Sequence, residues 1–191
     1  MLHHKLIINF IISVSLIIFL SNNLHAQSEK SWYLSGGLSM GHMLNMTYGS
    51  NTGTANFLGI FGDLEIKRII GRAQLTYVFP ASFDGSSNFD SGSGFHGSLG
   101  YNLKITDKIR LPLFLTAGAS LIQYRNGIFG SQGDLFTDVS PQIGVTLSPY
   151  YKLTKNISVQ ATTRYLKGSK GGDRSQPIDI TNISLGLRLT I

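Results

Sequence analysis

From Ile183 to Ile191 the chain reads Ile-Ser-Leu-Gly-Leu-Arg-Leu-Thr-Ile, aliphatic at every odd position and small, polar or charged at every even one. A period of two makes a strand with one apolar face and one polar face. The alternation recurs upstream and predicts eight strands, approximately Ser31–Leu44, Asn56–Lys67, Arg72–Phe79, Gly94–Ile105, Ile109–Tyr124, Val139–Tyr151, Ile157–Leu166 and Ile178–Ile191. Leu34, Leu38 and Met40 share the apolar face of the first, Leu58, Ile60 and Leu64 that of the second, and Leu111, Leu113 and Leu115 that of the fifth. Connections alternate in length. Short ones fall at Arg68–Gly71, Thr106–Lys108 and Lys152–Asn156; long ones at Asn45–Ala55, Pro80–Ser93, Arg125–Asp138 and Lys167–Pro177. The long ones are rich in Gly, Ser, Asn and Asp, as exposed loops are.

Charge decides what the apolar face meets. Asp63, Glu65, Arg72, Lys104, Arg110, Arg164 and Arg188 all have the parity of the polar face of their strands. A Lys or Arg against the bilayer midplane costs ~2–4 kcal/mol, so uniform avoidance marks a lipid-facing stripe. A soluble lipocalin-like barrel also alternates, but its outer face is in water and rich in charge. Here the polar face is mostly small, as in Ser35, Gly37, Ser39, Gly144, Thr146 and Ser148, which suits a crowded lumen. The expected fold is therefore all-β: an eight-stranded antiparallel up-and-down transmembrane barrel, with short periplasmic turns and long external loops. Asp179 alone breaks the parity, near the loop end of its strand. Trp32, Tyr150 and Tyr151 near one set of ends, and Phe79, Phe95 and Tyr165 near the other, are placed as interfacial girdles, whereas Tyr33, Phe57 and Tyr124 have inward parity.

The first residues read as an export signal. Lys5 precedes the apolar run Leu6–Leu20, and Leu24-His25-Ala26 ends in a small residue. The run is shorter than the ~20 apolar residues of a spanning helix. The expected organisation is residues 1–26 as signal peptide and 27–191 as one barrel domain. The chain has no cysteine, which removes disulfides, thiol chemistry and lipoprotein anchoring. Its net charge of +6 carries no compact basic motif, so nucleic acid is not an expected partner; lipid headgroups or surface polysaccharide are.

With these strands and the closing Leu185-Gly186-Leu187-Arg188-Leu189-Thr190-Ile191, the chain from Gln27 to Ile191 resembles the small outer-membrane β-barrel proteins grouped as the porin family, including the OmpA-type transmembrane domain. The resemblance implies residence in the cell outer membrane, contact with outer-membrane lipid, and use of the barrel-assembly machinery during biogenesis. Ile191 stands where a terminal aromatic is usual in that signal.

An eight-stranded lumen is just wide enough for side chains to fill. Asp63, Glu65, Arg72, Lys104, Arg110, Arg164 and Arg188 are accordingly read as a mutually neutralising lumen network, because buried charge needs partners. This favours a non-enzymatic barrel with a largely filled lumen and a structural or surface-interaction role. A carrier or narrow channel for a small molecule is the alternative, motivated by lumen-parity Phe57, Phe61, Phe114 and Ile122. A lipid-modifying enzyme is the second alternative, since His96 and Ser98 share one face, although no acid is placed beside them. No catalytic, cofactor or metal site is assigned. His42 lacks metal-ligand spacing, and no phosphate loop, nucleotide fingerprint or EF-hand is present. A surface ligand would meet the loops, at Arg125–Gly130, at Asp134-Leu135-Phe136, or at the bases Lys167, Lys170 and Arg174.

Overall fold

The computed structural model describes residues 32–49, 51–82, 87–126, 134–171 and 176–191. The expected leader, the loop positions 127–130 and Arg174 lie outside them, as do the side chains of Asp134, Leu135 and Phe136. Ten strand segments follow in order: β1 (Trp32–Tyr48), β2 (Asn51–Ile66), β3 (Ile69–Val78), β4 (Ala81–Ser82), β5 (Ser87–Lys104), β6 (Ile109–Asn126), β7 (Asp134–Leu147), β8 (Tyr150–Lys152), β9 (Ile157–Gly168) and β10 (Ile178–Thr190). They make eight staves. β4 continues the stave of β3 against β5, and β8 resumes that of β7 between β6 and β9. β1 pairs with both β2 and β10, so the antiparallel sheet closes on itself and has no edge.

The sixth stave, expected as one strand, is interrupted at Ser148-Pro149 because proline has no N–H to give the ladder. The break is nearly silent: Ser148 N donates to Pro112 O at 3.0 Å and Ala161 N to Pro149 O at 2.9 Å. The long connections need a larger correction. Strand pairing runs well into the first three, so β1 and β2 meet at Gly49, whose φ of 61° suits a tight reversal, instead of across an eleven-residue loop; at the fourth, β9 ends at Gly168 and β10 begins at Ile178, much as expected. Ladder hydrogen bonds satisfy the backbone of these hairpins where polar sequence alone reads as loop.

At the opposite end the turns are tight. Lys67-Arg68 joins β2 to β3, with Lys67 at φ 60°. In the other two turns one threonine caps the backbone: Thr106 Oγ1 accepts from Lys108 N and Ile109 N, and Thr154 Oγ1 from Asn156 N and Ile157 N. The pattern is visible in sequence as Ile105-Thr106-Asp107-Lys108-Ile109 and Leu153-Thr154-Lys155-Asn156-Ile157.

The aliphatic stripe faces outward. Leu115 is 72% exposed, and Leu38, Met40, Leu99, Ile143 and Leu185 are also exposed. Register joins them into a band, with Met40 opposite both Leu58 and Leu185. Water would not tolerate a continuous apolar belt of this size, whereas hydrocarbon solvates it. Asp63, Glu65, Arg72, Arg110, Arg164 and Arg188 are buried on the inner face, which is where the candidate chemistry sits.

Candidate functional site

The inner face is layered along the barrel axis. Nearest the short turns, Asn102 Nδ2 donates to Glu65 Oε2 at 2.8 Å and to the Tyr150 hydroxyl at 3.2 Å. Arg110 is buried in the same layer. Lys104 is less enclosed, and its ammonium pairs at 2.8 Å with Asp107 of the adjoining turn. Tyr150, expected in the interfacial girdle, is instead buried here, because its position in the alternation is that of Thr146 and Ser148.

One layer further in, Asp63 holds two arginines. Arg72 gives it a bidentate contact, Nε to Oδ1 at 2.7 Å and Nη2 to Oδ2 at 2.9 Å, and Arg188 Nη1 also donates to Oδ2. Both guanidiniums have further neutral partners. Arg72 reaches across the lumen to Ser148 Oγ at 2.9 Å and Gln160 Oε1 at 3.1 Å, and lies between the rings of Phe61 and Phe114, 4.5 and 4.7 Å from their centroids. Arg188 donates to Ser35 Oγ at 3.0 Å and stacks 4.6 Å from the Tyr150 ring. Arginine suits this place because its planar fork matches a carboxylate and its faces tolerate aromatic packing.

Arg164 follows a different rule. Its guanidinium is buried and donates to Thr146 Oγ1 at 3.2 Å and to Gln74 Oε1, with no carboxylate in ion-pair range among the described residues. Hydroxyls extend that layer from Thr146 through Thr116 to Ser98, at 2.8 and 2.9 Å. Above it, His96 Nε2 lies 2.9 Å from Gln142 Oε1, which also accepts from Ser120 Oγ at 2.7 Å; Gln142 Nε2 donates to Ile178 O at 2.7 Å. His96 and Ser98 do share the inner face, but their partners are an amide and a threonine.

The end bearing the long hairpins is filled by hydrocarbon, to which the lumen-parity set Phe57, Phe61, Phe114 and Ile122 contributes only Phe57 and Ile122. Met43, Met46, Tyr48, Ala55, Phe57, Val78, Phe89, Ile122, Leu166, Ile178 and Ile180 form one buried cluster. Met43 and Met46 have opposite parity, yet both point inward because the β1 register shifts between them. A bulge inserts a residue and reverses the face, so simple alternation misses it. Tyr48 closes the cluster by donating its hydroxyl to Asp138 across the mouth. Asp179, the one acid with outward parity, accepts from Gly168 N at 2.8 Å at this same end, outside the aliphatic band.

Of the seven predicted network residues, Asp63, Arg72 and Arg188 touch one another as a triad, while Glu65 and Arg110 are buried in the neighbouring layer, Glu65 on Asn102 and Arg110 opposite Tyr150. Arg164 forms a neutral-partner layer of its own, and Lys104 pairs toward the turn. Pattern reading missed the amides Gln74, Asn102, Gln142 and Gln160, although their parity is that of the charges. Among the described residues no cluster of His, Asp and Glu has the arrangement to hold a metal ion.

The model of the outer membrane protein beta-barrel domain family matches residues 11–190. Among solved structures, Neisserial surface protein A is similar at 14% identity and a TM-score of 0.67, over 85% of this chain and 99% of that one. Ail of Yersinia pestis, in complex with the heparin analogue sucrose octasulfate, is similar at 13% identity and a TM-score of 0.54, over 83% and 99%. The outer membrane protease OmpT from Escherichia coli aligns at 9% identity and a TM-score of 0.46, over 87% and 99%. At these identities the likeness is one of fold. No curated protein sequence matches the chain.

Proposed function

We propose, on the premise that this chain belongs to the outer membrane protein beta-barrel domain family and resides in the outer membrane, that it is a closed, non-enzymatic barrel whose interior is structural and whose working surface is its external hairpins. One observation carries the reading. Side chains bridge the lumen from wall to wall in successive layers, from the Asp63–Arg72–Arg188 triad to the Tyr48–Asp138 contact over a hydrocarbon cluster. Ions crossing that path would have to displace a bidentate ion pair and then shed water in an apolar plug. The folded protein, inserted into a planar lipid bilayer, is expected to show no stepwise conductance above the lipid baseline. Discrete, steady conductance steps in proportion to inserted protein would overturn the closed-barrel reading and favour the narrow channel.

Three of the hairpins, β1–β2, β4–β5 and β6–β7, carry strand pairing into the long connections and offer a surface ligand paired ribbons. Lys167 and Lys170 are exposed at the end of β9, which fits an acidic saccharide. The bound sulfated sugar analogue of Ail is an example on a similar fold, at an identity that transfers no site. Retention of the folded protein on a heparin column, lost in the double variant Lys167→Gln, Lys170→Gln, is the expected result; unchanged retention would remove these lysines from the proposal. The barrel-assembly machinery is the proposed route of insertion, through the β10 alternation. The apolar cluster supports the carrier as a second reading, and displacement of a bound apolar dye by added fatty acid would favour it. For the enzyme reading, His96→Ala with Ser98→Ala is expected to leave lipid composition unchanged.

A further inference from the structure

We propose that the short-turn rim is a binding surface for anionic phospholipid headgroups in the leaflet it adjoins. Each of the three tight turns presents an exposed lysine: Lys67, Lys108 and Lys155. Asp107, the acid in these turns, pairs with Lys104 at 2.8 Å, so the cations outnumber the acids at this rim. The turns cannot carry their cations far from the bilayer. Lys67 and Arg68 lie between Ile66 and Ile69, which face each other across the hairpin and are both exposed on the aliphatic side; Ile105 and Leu153 flank the other two turns in the same way. With neighbours one or two residues away immersed in hydrocarbon, an ammonium on a flexible stem reaches headgroup depth and little further. Three such cations around one circumference favour lipids whose phosphate charge is not balanced by an amine. The inference is independent of whether the lumen is open or closed.

Trp32 gives a built-in reporter. It is the only tryptophan of the chain, it is 58% exposed, and it pairs with Ile66 beside the Lys67 turn. The folded protein is reconstituted in phosphatidylcholine vesicles containing a minority of phosphatidylglycerol, with brominated acyl chains placed on one lipid or the other. At equal mole fraction, bromine on phosphatidylglycerol is expected to quench Trp32 more strongly, with a local enrichment of up to about fivefold at low salt. The preference should fade as salt shortens the screening length from about 30 Å at 0.01 M to about 3 Å at 1 M. It should also fall in the variant Lys67→Gln, Lys108→Gln, Lys155→Gln, whose folding is checked by heat-modifiable gel mobility. Equal quenching by the two lipids in the unmodified protein, which requires no variant to fold, would overturn the proposal. So would a preference that survives both high salt and the triple substitution.

Discussion

Replacing Asp63 by alanine is the sharpest perturbation of this fold, because one carboxylate neutralises two buried arginines. Its side chain is fully buried and accepts from Arg72 at 2.7 and 2.9 Å and from Arg188. Removing one partner of a buried pair costs about 3–5 kcal/mol, since the surviving charge stays desolvated. Here two guanidiniums are stranded, though Ser148, Gln160, Ser35 and the rings of Phe61, Phe114 and Tyr150 retain part of their contacts. The expected loss for Asp63→Ala is therefore the upper half of that range. Asp63→Asn keeps the volume but replaces an acceptor with an amide that faces guanidinium donors, and should lose at least about 2 kcal/mol. Reversible urea unfolding in vesicles, followed by Trp32 fluorescence and gel mobility, reads the loss as a midpoint lowered by about 1 M or more at unchanged slope. The cycle closes with Asp63→Leu, Arg72→Met, Arg188→Met, which removes all three charges and should recover most of the stability. An Asp63→Ala barrel within about 1 kcal/mol of the original would refute the claim that this carboxylate is needed to hold the arginines.

On the outer face, Leu115→Arg puts a guanidinium against lipid and should destabilise the barrel by ~2–4 kcal/mol in the same unfolding assay; an unchanged midpoint would mean Leu115 does not face hydrocarbon. Glycine positions separate by available space. A Cβ at Gly144 would meet Tyr165 O at 1.9 Å, so Gly144→Ala should cost about 1–3 kcal/mol or impair folding, whereas Gly62 has nothing within 4 Å and Gly62→Ala should be close to neutral. Equal effects would refute the register around Gly144. At the mouth, Phe57→Ala should cost about 3–5 kcal/mol from a well-packed apolar cluster, and Tyr48→Phe about 1 kcal/mol from the bond to Asp138. A negligible Phe57→Ala loss would mean that the cluster does not pack as a core.

Much of this was legible in the chain because it is local. The alternation in Ile183–Ile191 assigns a face to each residue without reference to any other strand, and two of the three tight turns share an aliphatic-Thr-polar-polar-Ile pentad. The same locality explains the failures. A bulge between Met43 and Met46 shifts parity without a residue type that marks it, and paired hairpin arms of Ser, Gly and Asn look like loop until another strand is beside them.

Sequence alone determined the eight strands, the lipid-facing stripe and the retreat of ionised groups to the axis, since a charge in hydrocarbon is costly whatever its neighbours are. Tertiary structure alone decided which interior groups meet. Asp63 and Arg188 are 125 positions apart and touch because the barrel closes with β1 between β2 and β10. Arg164 lies among Gln74 and Thr146 instead of beside an acid for the same reason: stagger and closure, not the alternation within any strand, fix which side chains share a layer.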